Sequence, residues 1–114
     1  MTSIEEVAQE LRQFAADRDW EQFHTAKNLL IALVGEVGEL AAELQWLTEE
    51  EILHSGARGA IADELADVAL YLIRLSDVLK VDLGSAIRKK IMENGLRYPV
   101  EKSRGRSLKY DKLT

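Results

Sequence analysis

Cysteine is absent from this 114-residue chain, so neither a disulfide nor a thiolate metal site can form. Long hydrophobic runs are absent too, because the longest strictly apolar stretch, residues 29–34, falls far short of the roughly 20 residues that a membrane-spanning helix requires. Residues 1–6 are polar and acidic, unlike a signal peptide. We therefore expect a cytoplasmic protein with no membrane association.

Basic residues are in short supply. Lys and Arg number 15 against 20 acidic residues, which gives a net charge of −5 and a pI of about 5.1. A nucleic-acid-binding surface normally needs a basic patch, so this balance argues against a nucleic-acid partner. The length suits one domain, residues 1–114, and the 46% apolar content allows a core with little surplus.

Proline is nearly absent as well, with Pro99 alone, and no segment shows convincing strand alternation. The 3.6-residue spacing of apolar residues predicts an all-α fold instead. Four helices are predicted, at residues 3–16, 25–46, 58–79 and 83–94. Ser3 followed by Glu6 resembles a capping box, and the Asn94–Gly95 pair predicts the end of the fourth helix.

The third helix is apolar on nearly every side. One seam follows 4-3-4-3-4 spacing and consists of Ile61, Leu65, Val68, Leu72, Leu75 and Leu79. The other side is also apolar and carries Ala62, Ala66, Leu70 and Ile73. Four short helices can hardly bury such a helix alone, so we expect subunits to pack as symmetric dimers or dimers of dimers.

Four carboxylates form two matched pairs inside the apolar helical runs, Glu36 with Glu39 and Glu64 with Asp67. Positions i and i+3 share one helix face, so each pair points two carboxylates the same way. Residues 28–57 and 59–73 contain no Lys or Arg, so these stretches offer the acids no cation.

Buried negative charges need compensation, and carboxylate oxygens suit a hard divalent cation. The acid pattern therefore favours a Mg²⁺ site, with Mn²⁺ as the alternative ion. A solvated acidic stripe is the simpler explanation, and the pattern leaves it open.

Aromatic side chains flank both acid pairs. Trp20, Phe23 and His24 precede the second helix, Trp46 closes it, and Tyr71 follows the acids of the third. Together they could form a pocket that stacks a flat base, or simply a hydrophobic plug beneath a loop.

Polar and basic residues gather near the end of the fourth helix, at Lys90, Asn94 and Arg97. With the acids and the aromatic residues they favour a phosphorylated, base-bearing ligand. Ordinary complementation of the helix dipole is the alternative for the lysine.

The motif Glu-x-x-Glu followed by Glu-x-x-Asp resembles the signature of the MazG-like all-α nucleoside triphosphate pyrophosphohydrolases. Residues 18–24 (Arg-Asp-Trp-Glu-Gln-Phe-His), 33–40 and 97–100 look like the dCTP pyrophosphatase branch of that family. The resemblance covers about residues 4–110.

The resemblance implies a four-helix MazG-like bundle completed by oligomerisation into a homotetramer. It implies Mg²⁺-dependent hydrolysis of dCTP or a modified dCTP to the monophosphate and pyrophosphate, as nucleotide-pool housekeeping. The implied metal ligands and catalytic residues are Glu36, Glu39, Glu64 and Asp67. The implied base pocket consists of Trp20, Phe23, His24, Trp46 and Tyr71.

Triphosphate hydrolysis brings an anionic nucleophile towards an anionic phosphorus, and a divalent ion relieves that repulsion. We expect water activated by the metal to attack the α-phosphorus, with one of the four acids as base and with Lys90 and Arg97 on the phosphates. One rival is a di-iron bundle, which normally needs Glu-x-x-His and finds only Glu21 and His24 here. The other is a non-catalytic helical nucleotide-binding or interaction module.

Overall fold

The computed structural model of the chain describes residues 2–54 and 56–114, and all regular secondary structure in that part is helical. The all-α prediction is therefore confirmed. The α-helices are α1 (Ile4–Asp17), α2 (Ala26–Leu44), α3 (Glu49–His54), α4 (Arg58–Val78), α5 (Leu83–Arg97) and α6 (Val100–Ser103), with 3-10 turns at Glu21–Phe23 and Tyr110–Lys112. Within the described residues, no helix has the length and hydropathy to cross a membrane.

Side-chain caps fix where three of the long helices begin. The Ser3 hydroxyl accepts a hydrogen bond from the Glu6 amide at 3.1 Å, as the predicted capping box requires. Thr25 accepts from the Asn28 amide at 3.2 Å, and Asp82 from the Ser85 amide at 3.1 Å. Each cap satisfies an amide that would otherwise lack a partner at the first turn.

Two compact units make up the chain, Met1–Val81 and Asp82–Thr114. In the first unit α4 packs against both α1 and α2. Its most deeply buried apolar residues are Ala8, Ala15 and Leu29, at 5%, 0% and 2% exposure. The second unit contains α5, α6 and the C-terminal turn. The single-domain assignment of residues 1–114 stays a prediction.

Helix α3 was not predicted. Thr48 and Glu51 form a reciprocal capping box, in which each backbone amide donates to the other residue's side chain, at 3.1 and 3.2 Å. The Thr-x-x-Glu spacing that encodes this box is readable in the sequence, although the apolar periodicity of so short a helix is not. His54 lies exposed at the end of α3.

The predicted end of the fourth helix is wrong. Helix α5 continues through Gly95 to Arg97, because one glycine only weakens a helix. Proline disfavours helical backbone in the residue before it, and Tyr98, which precedes Pro99, adopts φ −121° and ψ 65°. The other long helices lie within two residues of their predicted bounds.

The apolar seam of α4 divides into two rows. Ile61, Val68 and Leu75 are half-buried. Leu65, Leu72 and Leu79 are 53%, 41% and 52% exposed. Helix α2 has a similar exposed row, made up of Leu30, Ile31 and Val34 at 51%, 60% and 63%. The first unit thus has more apolar surface than its own helices cover.

Candidate active site

Helices α2 and α4 bring three of the four predicted acids together. Glu36 on α2 and Glu64 and Asp67 on α4 each place a carboxylate oxygen so that the three oxygens lie within 4.8 Å of one another. Because α2 packs directly on α4, the two i,i+3 pairs face each other across one helix contact. Glu39, the fourth acid, is exposed and lies outside this three-oxygen cluster.

The carboxylates perturb one another. Burial, followed by the negative charge of Glu39, raises the pKa of Glu36 from 4.5 to about 7. The same two causes raise the pKa of Glu64. Although Glu39 lies outside the cluster, its charge therefore raises the pKa of both half-buried acids, Glu36 and Glu64. Crowded carboxylates favour either a shared proton or a bound cation.

The donor set fits a hard divalent cation. One oxygen of Glu36 and one of Glu64, the Oε2 atoms, are fully buried and have no hydrogen-bond partner in the described part of the chain. No Lys or Arg among residues 2–54 and 56–114 forms an ion pair with any of the four acids. Buried anionic oxygens without partners are costly, and Mg²⁺ or Mn²⁺ would satisfy them.

A cavity of about 190 Å³ opens beside the acid cluster, in the same unit of the chain. Asp67 belongs to both the cluster and the cavity wall. Trp20, His24 and Tyr71, which the sequence predicted for the base pocket, also line the cavity. Its remaining apolar wall comes from Leu11, Phe14, Leu29 and Leu70. An apolar pocket next to a carboxylate cluster suits a ligand with one flat end and one anionic, metal-binding end.

The chain reverses direction after α1, and this turn places the aromatic wall. Asp19 adopts a positive φ of 54°, and the Trp20 amide donates back to the Ala15 carbonyl at 2.9 Å. The Trp20 ring then meets the rings of Phe14 and His24 edge to face, with centroids 5.8 and 6.3 Å apart. Both contacts have the geometry that aromatic pairs prefer.

Arg74 is a cavity residue that the sequence analysis missed. It is only 7% exposed, and its Nε donates a hydrogen bond to Nδ1 of His24 at 3.0 Å. Its Nη1 lies 3.4 Å from Oδ2 of Asp77, which also accepts from Arg12. A signal was available, because Arg74 continues the stripe that includes Asp67 and Tyr71 at helical spacing.

Two predicted pocket residues are not among those that line this cavity. Phe23 is 59% exposed and Trp46 is 84% exposed. Phe23 has a structural role through its backbone, since its carbonyl accepts from the Asn28 side chain at 3.1 Å. The binding roles of both rings stay predictions.

The predicted phosphate-binding residues lie in the second unit, on α5. Lys90 is exposed, and its Nζ lies 3.2 Å from a carboxylate oxygen of Glu93. Arg97 stacks over the Tyr110 ring at 4.9 Å from its centroid, and Asn94 is exposed. Their roles towards a substrate stay predictions.

Known proteins with similar sequences show the family to which the chain belongs. A model of the MazG-like family matches residues 31–113, which include all four acids. The dCTP pyrophosphatase 1 proteins of Bos taurus and Homo sapiens are each 45% identical to this chain over 115 residues, covering 97% of the chain and 68% of the relative. The chain belongs to the MazG-like family, and the resemblance inferred from its motifs is confirmed.

A solved structure supports the fold. The crystal structure of a pyrophosphatase from Archaeoglobus fulgidus superposes with a TM-score of 0.77 and 35% sequence identity. The match covers 87% of this chain and 94% of the archaeal one.

Proposed function

We propose that this protein hydrolyses dCTP, or a modified dCTP, to the monophosphate and pyrophosphate in a Mg²⁺-dependent reaction. Its class is that of nucleoside triphosphate pyrophosphohydrolases, to which its pyrophosphatase relatives belong. The choice of dCTP follows the names of the relatives that are 45% identical to it.

The observation that carries the proposal concerns two buried atoms beside the cavity, the Oε2 atoms of Glu36 and Glu64, which have no hydrogen-bond partner among the described residues. Together with Asp67 they would hold the metal, and Glu39 completes the proposed set of ligands and catalytic acids. Mg²⁺ bound there neutralises charge on phosphate oxygens and makes water a stronger nucleophile at neutral pH.

The chain's own residues supply binding, orientation and proton transfer. Trp20, His24 and Tyr71 hold the base in the apolar cavity, which places the triphosphate beside Asp67. One of the four acids accepts the proton of the attacking water. No covalent intermediate on the protein is needed, since phosphoryl-type transfer depends mainly on positioning and charge stabilisation.

The predicted substrate residues that do not line this cavity are Phe23, Trp46, Lys90, Asn94 and Arg97. We propose that a homotetramer, a dimer of dimers, builds each active site from more than one subunit. The exposed apolar rows of α2 and α4 supply subunit contacts, and the 84% exposed Trp46 ring is free to cover a neighbouring pocket. Lys90 and Arg97 bind the phosphate tail.

Pyrophosphate release from a panel of deoxynucleoside triphosphates, with and without Mg²⁺, tests the proposal. We expect dCTP to be the preferred substrate and chelation to abolish release. Glu64→Gln should abolish activity, whereas Glu43→Gln should retain it, because Glu43 is an exposed acid of the same motif region outside the cluster. Nucleotide binding without pyrophosphate release from any nucleotide would instead identify a non-catalytic binding module.

A further inference from the structure

We propose that Arg74 positions His24 and that the nitrogen donors of these two residues together form one edge of the base pocket. This edge selects a base with two neighbouring acceptor atoms, as cytosine has. The inference rests on the proposed function, because it assigns the base-reading edge of the same cavity. Both residues line that cavity, and a hydrogen bond of 3.0 Å joins them.

The hydrogen bond determines which nitrogen of His24 carries the proton. A guanidinium has only N–H donors, so Nδ1 of His24 must accept and cannot itself be protonated while the bond lasts. The neutral imidazole therefore carries its proton on Nε2. Burial and the charge of Arg74 both lower the pKa of His24, which favours this neutral ring.

Arg74 is itself held in place by Asp77. Asp77 accepts from Nη1 of Arg74 at 3.4 Å and accepts two hydrogen bonds from Arg12, at 2.8 and 2.9 Å. The remaining guanidinium nitrogen, Nη2, has no hydrogen-bond partner within residues 2–54 and 56–114. Arg74 is 7% exposed, so this part of the cavity wall consists of a fixed cation and a fixed imidazole that can only donate.

A donor-only edge distinguishes the pyrimidine bases. Cytosine presents O2 and N3 side by side, and both are acceptors. Uracil and thymine carry a proton on N3. Their N3–H group would therefore face a donor of the protein, and that donor would be left without an acceptor. Buried polar groups without partners are the strongest source of discrimination between similar ligands, whereas the apolar walls cannot tell these rings apart.

The tautomer of His24 can be measured without a nucleotide or a metal. In the wild-type protein, two-bond ¹H–¹⁵N correlation spectra should show His24 protonated at Nε2 and unprotonated at Nδ1. Arg74→Gln should remove this fixed pattern and give a mixture, whereas Arg12→Gln should keep it. Arg12 is the matched control because it shares the partner Asp77 but does not line the cavity. A wild-type His24 protonated at Nδ1 would overturn the inference.

Base selection is tested with dCMP and dUMP, whose binding is followed by tryptophan fluorescence. The wild-type protein and Arg12→Gln should prefer dCMP, and Arg74→Gln should reduce that preference about tenfold or more. With triphosphates, the loss should appear as a higher KM for dCTP, with kcat within about twofold. Arg74→Lys keeps the positive charge without the planar set of donors, so it should lose the preference too.

The outcomes separate the two proposals. A protein that releases no pyrophosphate but prefers dCMP, and loses that preference in Arg74→Gln, refutes the proposed function and supports the base-reading edge. A protein that hydrolyses dCTP and keeps its preference over dUTP in Arg74→Gln supports the function and refutes the edge. Full preference in Arg74→Lys would show that charge alone suffices, and would equally overturn the role of the Nε hydrogen bond.

Discussion

Arg74 donates its Nε–H to Nδ1 of His24 at 3.0 Å and so joins helix α4 to the turn that precedes α2. The two residues are 50 positions apart in sequence. The acid cluster joins α4 to α2 itself, so the proposed metal site and the base pocket share helix α4. A change in how α2 lies on α4 would alter both at once.

The titration of His24 is the first prediction. Burial and the charge of Arg74 lower the pKa of this histidine, so Arg74→Gln should raise it. Below the ordinary value of 6.5, the unfolded chain binds a proton that the folded chain resists, so stability falls as the pH drops towards the lowered pKa. NMR titration of the imidazole C–H signals measures the shift. An unchanged His24 pKa in Arg74→Gln would show that the charge of Arg74 does not lower it.

The second prediction concerns the metal-free acid cluster. The pKa of Glu36 is raised from 4.5 to about 7, so between these values the folded chain holds a proton that the unfolded chain has lost. Stability should therefore fall as the pH rises through this window. In the presence of a chelator, the Tm of the wild-type protein should fall between about pH 5 and about pH 8 relative to that of Glu36→Gln. Calorimetry on both proteins measures this difference, which His24 does not affect because both contain it.

Adding Mg²⁺ should reverse this loss of stability at higher pH. At ~100 times its dissociation constant the ion should stabilise the fold by about 2.7 kcal/mol per site. Glu36→Gln should lose most of this gain, and Glu43→Gln should keep it. Parallel pH dependence of Tm in the wild type and Glu36→Gln, together with no response to Mg²⁺, would remove the support for a metal site.

The third prediction is that the chain is an oligomer, most simply a tetramer, at micromolar concentration. Ile31 on α2 is 60% exposed in the single chain, so Ile31→Lys should be almost neutral in a monomer. In an assembly that buries the exposed row of α2, the charge of the new lysine should dissociate the subunits. Light scattering measures the mass. Leu96→Lys provides a control on α5, at a side chain that is 85% exposed.

Gly38 gives an independent check on the proposed subunit contact through α2. A Cβ added there meets nothing within 4 Å in the single chain, so Gly38→Ala should stabilise a monomer by about 0.5–1 kcal/mol through helix propensity. If a second subunit approaches α2 closely at this position, the same change should instead weaken assembly. A stable, fully active wild-type monomer would refute the oligomer.

The fourth prediction separates the two tryptophans. Trp20 lines the cavity, so Trp20→Ala should weaken binding of a non-hydrolysable dCTP analogue roughly 10-fold or more. Trp46 is 84% exposed in the single chain, so a comparable loss in Trp46→Ala would indicate a pocket shared between subunits. Fluorescence titration measures both. Unchanged affinity in the two variants would make these rings structural residues alone.

Local patterns in the sequence predicted the four long helices, apart from the end of α5, and three of the four predicted acids form one cluster. The i,i+3 spacing predicted that the two carboxylates of each pair share one helix face, and the packing of α2 on α4 then brings Glu36, Glu64 and Asp67 together. The contact between Arg74 and His24 could not be predicted in this way, since it depends on the reversal at Asp19 and on tertiary packing. Likewise, the helix of residues 49–54 has a cap signal but too few residues for periodicity to detect.

The final prediction concerns which bond is broken. If water attacks the α-phosphorus, hydrolysis of dCTP in ¹⁸O-labelled water should place the label in dCMP and leave pyrophosphate unlabelled. This outcome is expected from the proposed base pocket, because Asp67 lines the same cavity as Trp20, His24 and Tyr71 and a base bound there would place the phosphate nearest the sugar beside the acid cluster. Mass spectrometry of both products locates the label. Label in pyrophosphate would indicate attack at the β-phosphorus, and release of inorganic phosphate would indicate cleavage at the γ-position and a different mechanism.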